Sequence, residues 1–315
     1  MSKILLSGIT PSGTSGLHIG NYFGAIKQFV DFQDSYESFV MIADLHALTT
    51  VQDPVQLRKN IFDVACAYLA CGLDPEKVTL FRQSEISAHA ELTWIFNCIT
   101  TVPYLERAHA YKDAHMKAHE VNVGLFDYPM LMTADILLYD PHIVPVGSDQ
   151  KQHVEFARDT AEKFNRIWGE TFRMPEALIL ESTGIVPGLD GRKMSKSYGN
   201  TIPLFASDEE IEKAVMSIVT DSSGDRPENV YAIHKLFRNE EELAALYEDN
   251  KGKYKILKET LAIDIKNFLT PMREKYQELQ KNPQAVFDIL EKGTARARER
   301  AVKKMIEVKK AVGLI

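Results

Sequence analysis

Ile4-Leu5-Leu6-Ser7-Gly8-Ile9-Thr10-Pro11-Ser12-Gly13-Thr14-Ser15-Gly16-Leu17-His18-Ile19-Gly20-Asn21 is the stretch on which the reading of the fold turns. Its first residues form an apolar run of the kind found in a buried strand. Glycines, serines and a proline then crowd a turn. Beyond it, Tyr22–Phe32 places Phe23, Ile26, Phe29 and Val30 at helical spacing. Strand, glycine-rich turn and helix N-terminus together make an anion site, because free N–H groups and the helix dipole point the same way. Gly20 allows a ribose or a flat ring to lie on the backbone, and His18 can donate to a phosphate. Taken alone, such a turn is also an ordinary solvated loop.

The same alternation continues downstream. Strands are expected at Ile4–Thr10, Ser38–Asp44, Val78–Gln83, Ile143–Val146 and Ala177–Leu180. Helical patterns lie between them at Tyr22–Phe32, Pro54–Cys71, Ala88–Ile99 and Gln150–Trp168. Strands alternating with helices predict an α/β fold, a doubly wound parallel sheet of Rossmann-like form with ligands at the carboxyl ends of its strands. The helical stretch Tyr104–Tyr139 interrupts it as an insertion. After Asn200 the strand signal fades, and Ser207–Val219, Val230–Phe237, Glu240–Asp249, Lys253–Gln280 and Pro283–Val312 read as helices. We therefore expect a catalytic domain over 1–202 and a C-terminal helical domain over 203–315.

A second informative segment sits at the junction: Gly191-Arg192-Lys193-Met194-Ser195-Lys196-Ser197-Tyr198-Gly199-Asn200. Lys193 and Lys196 can act as point charges on phosphate oxygens, and the serines and glycines let the backbone approach closely. By itself this too could be a solvated loop. A third segment, Asp127–Tyr139, reads as an apolar helix with Tyr128, Met132 and Asp135 four and three residues apart on one face. A carboxylate among Leu, Met and Ile costs free energy unless paired, so Asp135 is either a capped or solvent-facing Asp or the acceptor for a ligand N–H or O–H.

Bulk properties set limits. The 315 residues are 45% hydrophobic and 26% charged, a composition of ordinary soluble proteins, with no run near the roughly 20 apolar residues that span a bilayer. Met1-Ser2-Lys3 leads into a strand without a signal segment. Cys66, Cys71 and Cys98 lack metal spacing and read as small buried side chains in a reducing cytoplasm, against an iron–sulfur site. The net charge of −7 disfavours a nucleic-acid partner, but residues 292–315 hold eight Lys/Arg against two Glu, a local +6. Arg296, Arg298, Arg300, Lys303 and Lys304 are either a phosphate-touching tail or a solvated helix face.

The turn and the lysine segment together resemble the HIGH-type and KMSKS-type signatures of class I aminoacyl-tRNA synthetases, as His18-Ile19-Gly20-Asn21 and Lys193–Ser197. Ser7–Gly13, Gly20-Asn21-Tyr22, Ala134–Tyr139 and Val144–His153 are similar to the bacterial tryptophanyl-tRNA synthetase family over nearly the whole chain. The resemblance implies ATP-dependent ligation of L-tryptophan to tRNA(Trp) through tryptophanyl-adenylate, in the cytoplasm, by a homodimer. It implies that Thr10, Pro11, Ser12, Gly20 and Asn21 hold the nucleotide. Gly147, Ser148 and Asp149 would hold adenosine, with Asp149 on a ribose hydroxyl. His18, Lys193, Lys196 and Ser197 would serve the chemistry, with Met194 and Ser195 in the same ATP loop. His46, Tyr128, Met132, Asp135, Val144, Val146 and Gln150 would form the tryptophan pocket, and Mg²⁺ would be held by the phosphates. The helical domain would read the anticodon.

Tyrosine enzymes of this group carry Gln where Met132 stands, so the Met favours indole. An acceptor that must be satisfied can discriminate by roughly 10⁴–10⁵. Two departures from the family pattern are present. The turn from Pro11 to His18 is two residues longer than usual, and Lys112-Asp113-Ala114 lacks the second lysine of a lysine–acid–lysine run, so that either Lys112 or Lys117 replaces it or the phosphate contact is lost. Alternatives are a short tyrosyl-tRNA synthetase, a small-molecule adenylyltransferase and a non-catalytic RNA-binding paralogue.

Overall fold

The computed structural model describes residues 3–11, 17–108, 122–147, 150–179, 186–220 and 226–315. Five strands, β1 (Ile4–Ile9), β2 (Glu37–Ile42), β3 (Val78–Arg82), β4 (Ile143–Pro145) and β5 (Glu176–Leu178), form one parallel sheet in the order β3-β2-β1-β4-β5. Register runs Leu5 to Ser38, Phe39 to Thr79 and Val144 to Ala177. The order reverses direction between β1 and β4, so the carboxyl ends of those two strands flank the topological switch point, where open α/β sheets bind ligands.

Helices α1 (Pro54–Ala70), α2 (Ala88–Asn97), α3 (Val123–Leu138) and α4 (Lys151–Trp168) cover the sheet. Asp53 starts α1 by accepting from the backbone N–H groups of Val55 and Gln56, with Pro54 at the first helical position. Two expected elements differ. The strand expected over Ser38–Asp44 ends at Ile42, and Asp44 opens a helical turn, Asp44–Ala47, because its carboxylate accepts from Ser84 N (2.8 Å) and Ser84 Oγ (2.6 Å). The helix expected from Tyr22 to Phe32 is present but starts earlier, as Ile19–Asn21, and passes through a π-helical turn Tyr22–Ile26 before Lys27–Phe32. Such bulges often mark functional segments.

The C-terminal part is helical: α5 (Asp208–Met216), α6 (Glu228–His234), α7 (Glu240–Asp249), α8 (Tyr254–Lys281) and α9 (Pro283–Ala311). It shares its core with the sheet. Leu261, Ile265, Leu269, Val286 and Leu290 join Ile19, Tyr22, Val40 and Val64 in one buried cluster, and Ala297, Ala301, Met305 and Val308 join Phe39, Phe81 and Leu138 in another. α9 approaches β3 so closely that a Cβ at Gly293 would stand 1.8 Å from the Leu80 carbonyl oxygen.

Arg296 and Arg298 are exposed, as a solvated helix face would have them, yet each also donates to a backbone carbonyl. Arg296 donates to Pro75 O (2.6 Å), Arg298 to Glu85 O (2.9 Å) and Arg300 to Tyr139 O (2.7 Å). Lys304 donates to Thr171 O at 2.8 Å. These cations satisfy carbonyls at the ends of strands and helices and fasten α9 to the sheet. The cysteine expectation also needs one correction: Cys66 and Cys71 are buried, with burial pushing both thiols up to about 12, whereas Cys98, just past the end of α2, is exposed.

Candidate active site

A cavity of about 410 Å³ opens at the switch point. The end of β1 supplies Ser7, Gly8, Ile9 and Thr10, and the end of β4 supplies Val144, Pro145, Val146 and Gly147. His46, from the turn after β2, Tyr128, Met132 and Ile136, from α3, and Gln150 complete the wall. That size lies within the roughly 300–1,000 Å³ typical of small-ligand sites, and the lining is mostly apolar. Thr10, His46, Tyr128, Met132, Val144, Val146, Gly147 and Gln150, separated by up to 140 residues of sequence, thus meet at one place.

Asp135 stands one layer behind this wall. It is 2% exposed and joined to the cavity through His46. Its Oδ1 accepts from Gln83 Nε2 (2.7 Å) and His89 Nδ1 (2.7 Å), and its Oδ2 accepts from His46 Nε2 (2.8 Å). Because a carboxylate only accepts, each imidazole carries its proton on the nitrogen facing Asp135. The other nitrogen of His89 lies 2.9 Å from Tyr139 Oη. Burial alone would raise the Asp135 carboxyl. The hydrogen bonds and charge of His46 and His89 outweigh it and hold the group at about 2. Oδ1 is saturated, whereas Oδ2 has one partner among the described residues, so it retains acceptor capacity on the His46 side.

The HIGH-type turn and the lysine segment come together beside this cavity. His18 is buried before the Ile19–Asn21 turn, and its N–H donates to Asn21 Oδ1 at 3.0 Å. The carboxamide oxygen of Asn21 therefore holds the turn itself. Ile19 N donates to Ile202 O (3.0 Å), and His18 pairs with Pro203 as an isolated antiparallel bridge. A Cβ at Gly20 would lie 2.8 Å from His18 Nδ1 and 3.3 Å from Met194 Cβ, so the turn touches the lysine segment at a point where only glycine fits. Burial, aided by the nearby Lys196 charge, lowers His18 to about 4. The imidazole is neutral at physiological pH, and among the described residues its Nδ1 has no hydrogen-bond partner. Burial also lowers the Lys196 ammonium.

Lys193 and Ser197 are exposed, Met194 is buried, and Ser195 Oγ lies 2.8 Å from Ser197 Oγ. The Pro11 carbonyl accepts from Asn60 Nδ2 at 3.3 Å. Ser12, Ser148 and Asp149, expected at the nucleotide, lie outside the described residues, as do Lys112, Asp113, Ala114 and Lys117. Among the described residues no group of three or more His, Cys, Asp or Glu could hold a metal ion.

Sequence reasoning missed Gln83, His89 and Tyr139 behind Asp135. The available signal was a glutamine closing an apolar strand and a histidine on the apolar face of α2 with Leu92 and Phe96.

Residues 2–293 match the family described as tRNA synthetases class I (W and Y), and the chain belongs to that family. A tryptophan–tRNA ligase of Fusobacterium nucleatum is 49% identical, covering 99% of this chain and 98% of its own. One from Campylobacter jejuni is 45% identical over 98% and 99%. The crystal structure of Campylobacter jejuni tryptophanyl-tRNA synthetase complexed with ADP and tryptophan superposes with a TM-score of 0.92 at 44% identity, covering 98% of this chain and 99% of that one.

Proposed function

We propose that the chain ligates L-tryptophan to tRNA(Trp), forming tryptophanyl-adenylate from ATP first. One observation carries the reading: the His18–Gly20 turn meets Met194 and Lys196 beside an apolar cavity backed by a buried carboxylate with spare acceptor capacity. Indole has a flat apolar body and one donor, and Oδ2 of Asp135 is the acceptor for that N–H. Met132 and Tyr128 form the wall around the ring, and Val144 and Val146 form its other side.

In the first step a carboxylate oxygen of tryptophan attacks the α-phosphorus of ATP, the bond to the bridging oxygen breaks, and pyrophosphate leaves. Protein groups need only hold the reactants in line and stabilise charge. Thr10, Pro11, Ser12, Gly20 and Asn21 border the nucleotide, Gly147, Ser148 and Asp149 its adenosine. His18 offers a neutral imidazole to the phosphates. Lys193 and Lys196 neutralise the departing pyrophosphate, with Ser195 and Ser197 as hydroxyl donors. Mg²⁺ would come with the triphosphate and add charge stabilisation there, since no cluster of carboxylates among the described residues would hold it. In the second step a ribose hydroxyl of the terminal adenosine of tRNA attacks the acyl carbon and AMP leaves.

The 1–202 part performs this chemistry and the 203–315 part reads the anticodon. The working form is a cytoplasmic homodimer: Trp94 (71% exposed), Val123 (80%) and Leu48 (52%) leave an apolar face beside α2 and α3 that a second copy would cover. No helix among the described residues is long and apolar enough to cross a membrane. The test is exchange of labelled pyrophosphate into ATP across all twenty amino acids. Tryptophan alone is expected to respond. A tyrosine response would reassign the pocket, and silence with every amino acid would remove the activity.

A further inference from the structure

Residues 186–200 fold back on themselves as a tight loop. Met194 N donates to Val186 O (2.8 Å), Gly188 N donates to Arg192 O (2.7 Å), and Pro187 and Lys193 form an antiparallel bridge. At the far end sits Asn200, 3% exposed. Its Oδ1 accepts from Ser195 N at 2.8 Å. Its Nδ2 donates to Lys193 O at 3.1 Å and to Asp190 Oδ1 at 2.6 Å. Asp190 in turn accepts from the Arg192 backbone N (3.1 Å) and from Arg192 Nε (2.7 Å), and the Arg192 guanidinium lies 4.5 Å from the centre of the Tyr198 ring. The Asn200 amide, with help from Arg192, lowers the Asp190 carboxyl.

Among the described residues every side-chain bond of Asn200 ends inside the loop, on residues 190, 193 and 195, and none reaches the sheet or a helix. Two of the three fall on the backbone of the residues that carry the exposed Lys193 side chain and lead into Lys196. The geometry asks for one acceptor facing an N–H and one NH₂ facing two oxygens, which only a carboxamide of this length supplies. An aspartate here would set a second carboxylate against Asp190.

We infer that Asn200, backed by Asp190, is a positioning residue for adenylate formation: it fixes the backbone of Lys193–Ser195 so that Lys193 and Lys196 project to the triphosphate. The inference rests on Lys193–Ser197 being the triphosphate clamp. Loss of the amide leaves both lysines in place and their starting points displaced, and a displacement of about 1 Å can cost on the order of a hundredfold in rate.

Four variants test this in tryptophan-dependent pyrophosphate exchange, alongside tryptophan binding without ATP and thermal unfolding. Asn200→Ala is expected to lower kcat about 10- to 100-fold and to raise KM for ATP, with tryptophan binding unchanged. Asn200→Asp is expected to fall at least as far. Asp190→Asn combined with Asn200→Asp removes the carboxylate–carboxylate contact and keeps the acceptor for Ser195 N but not the donor to Lys193 O, and its kcat is expected to fall between that of Asn200→Asp and that of the parent enzyme. This isosteric pair also carries the test if Asn200→Ala does not fold. Lys196→Ala is the benchmark. A normal kcat in Asn200→Ala beside a low one in Lys196→Ala overturns the inference. So does a double variant as slow as Asn200→Asp, or a loss of tryptophan binding and thermal stability in step with activity. Normal exchange by Lys196→Ala overturns the clamp reading instead.

Discussion

Replacing Asp135 by alanine separates two roles that its surroundings combine. The carboxylate is the common acceptor for Gln83, His89 and His46. Gln83 and His89 are completely buried, so alanine strands two donors without water, at about 1–3 kcal/mol each. The variant should lose roughly 2–6 kcal/mol of stability in urea unfolding. The proposed bond to the indole N–H is charge-assisted, worth about 1.5–3 kcal/mol, which raises the tryptophan requirement roughly 10- to 150-fold while leaving the ATP requirement near its original value.

Acid adds an independent check. With the folded carboxyl at about 2 against an ordinary 3.8, the unfolded chain binds the proton more readily between those values. The contribution, about 2 kcal/mol, is complete above pH 4 and is lost as pH falls towards 2; Asp135→Asn should lack that loss. A folded Asp135→Ala enzyme with unchanged tryptophan KM in pyrophosphate exchange would refute the reasoning for the pocket. Unchanged urea stability would refute the account of the buried network.

Gly20→Ala should cut exchange by roughly an order of magnitude or more and also lower thermal stability, since the new Cβ meets buried His18 and Met194 at the junction of the two loops. His18, lowered to about 4 by burial and by Lys196, resists protonation when folded, so stability should decline as pH drops from 6.5 to 4; His18→Asn should flatten that part of a urea-midpoint profile. Arg300→Ala should lower unfolding stability but leave the salt slope of tRNA binding unchanged in filter binding at several ionic strengths, because Arg300 is occupied with Tyr139 O and Glu37. Trp94→Glu should shift the sedimentation coefficient towards that of a single chain if the exposed α2 face joins two copies.

The alternation of strands and helices was legible because most strands are short apolar runs and the helices between them carry apolar residues at 3–4 spacing. The convergence of His18 and Lys196 was legible only through motif resemblance, since nothing in spacing brings residues so far apart together. The partners of Asp135 were not legible: Gln83 reaches it from the turn after β3 and His89 from α2, and only the fold makes them neighbours. Asp44 escaped because its role is set by Ser84, forty residues away. The arginines of α9 looked like a free basic face because a cation's carbonyl partners leave no trace in composition.

The seating of α9 has a consequence for how the chain comes to its shape during synthesis. Ala297, Ala301, Met305 and Val308 fill the same core as Phe39 and Phe81, and Gly293 rests on β3. A nascent chain that has made every strand and both signature loops still lacks one wall of its sheet. Packing of the sheet's core is therefore complete only once α9 has been made.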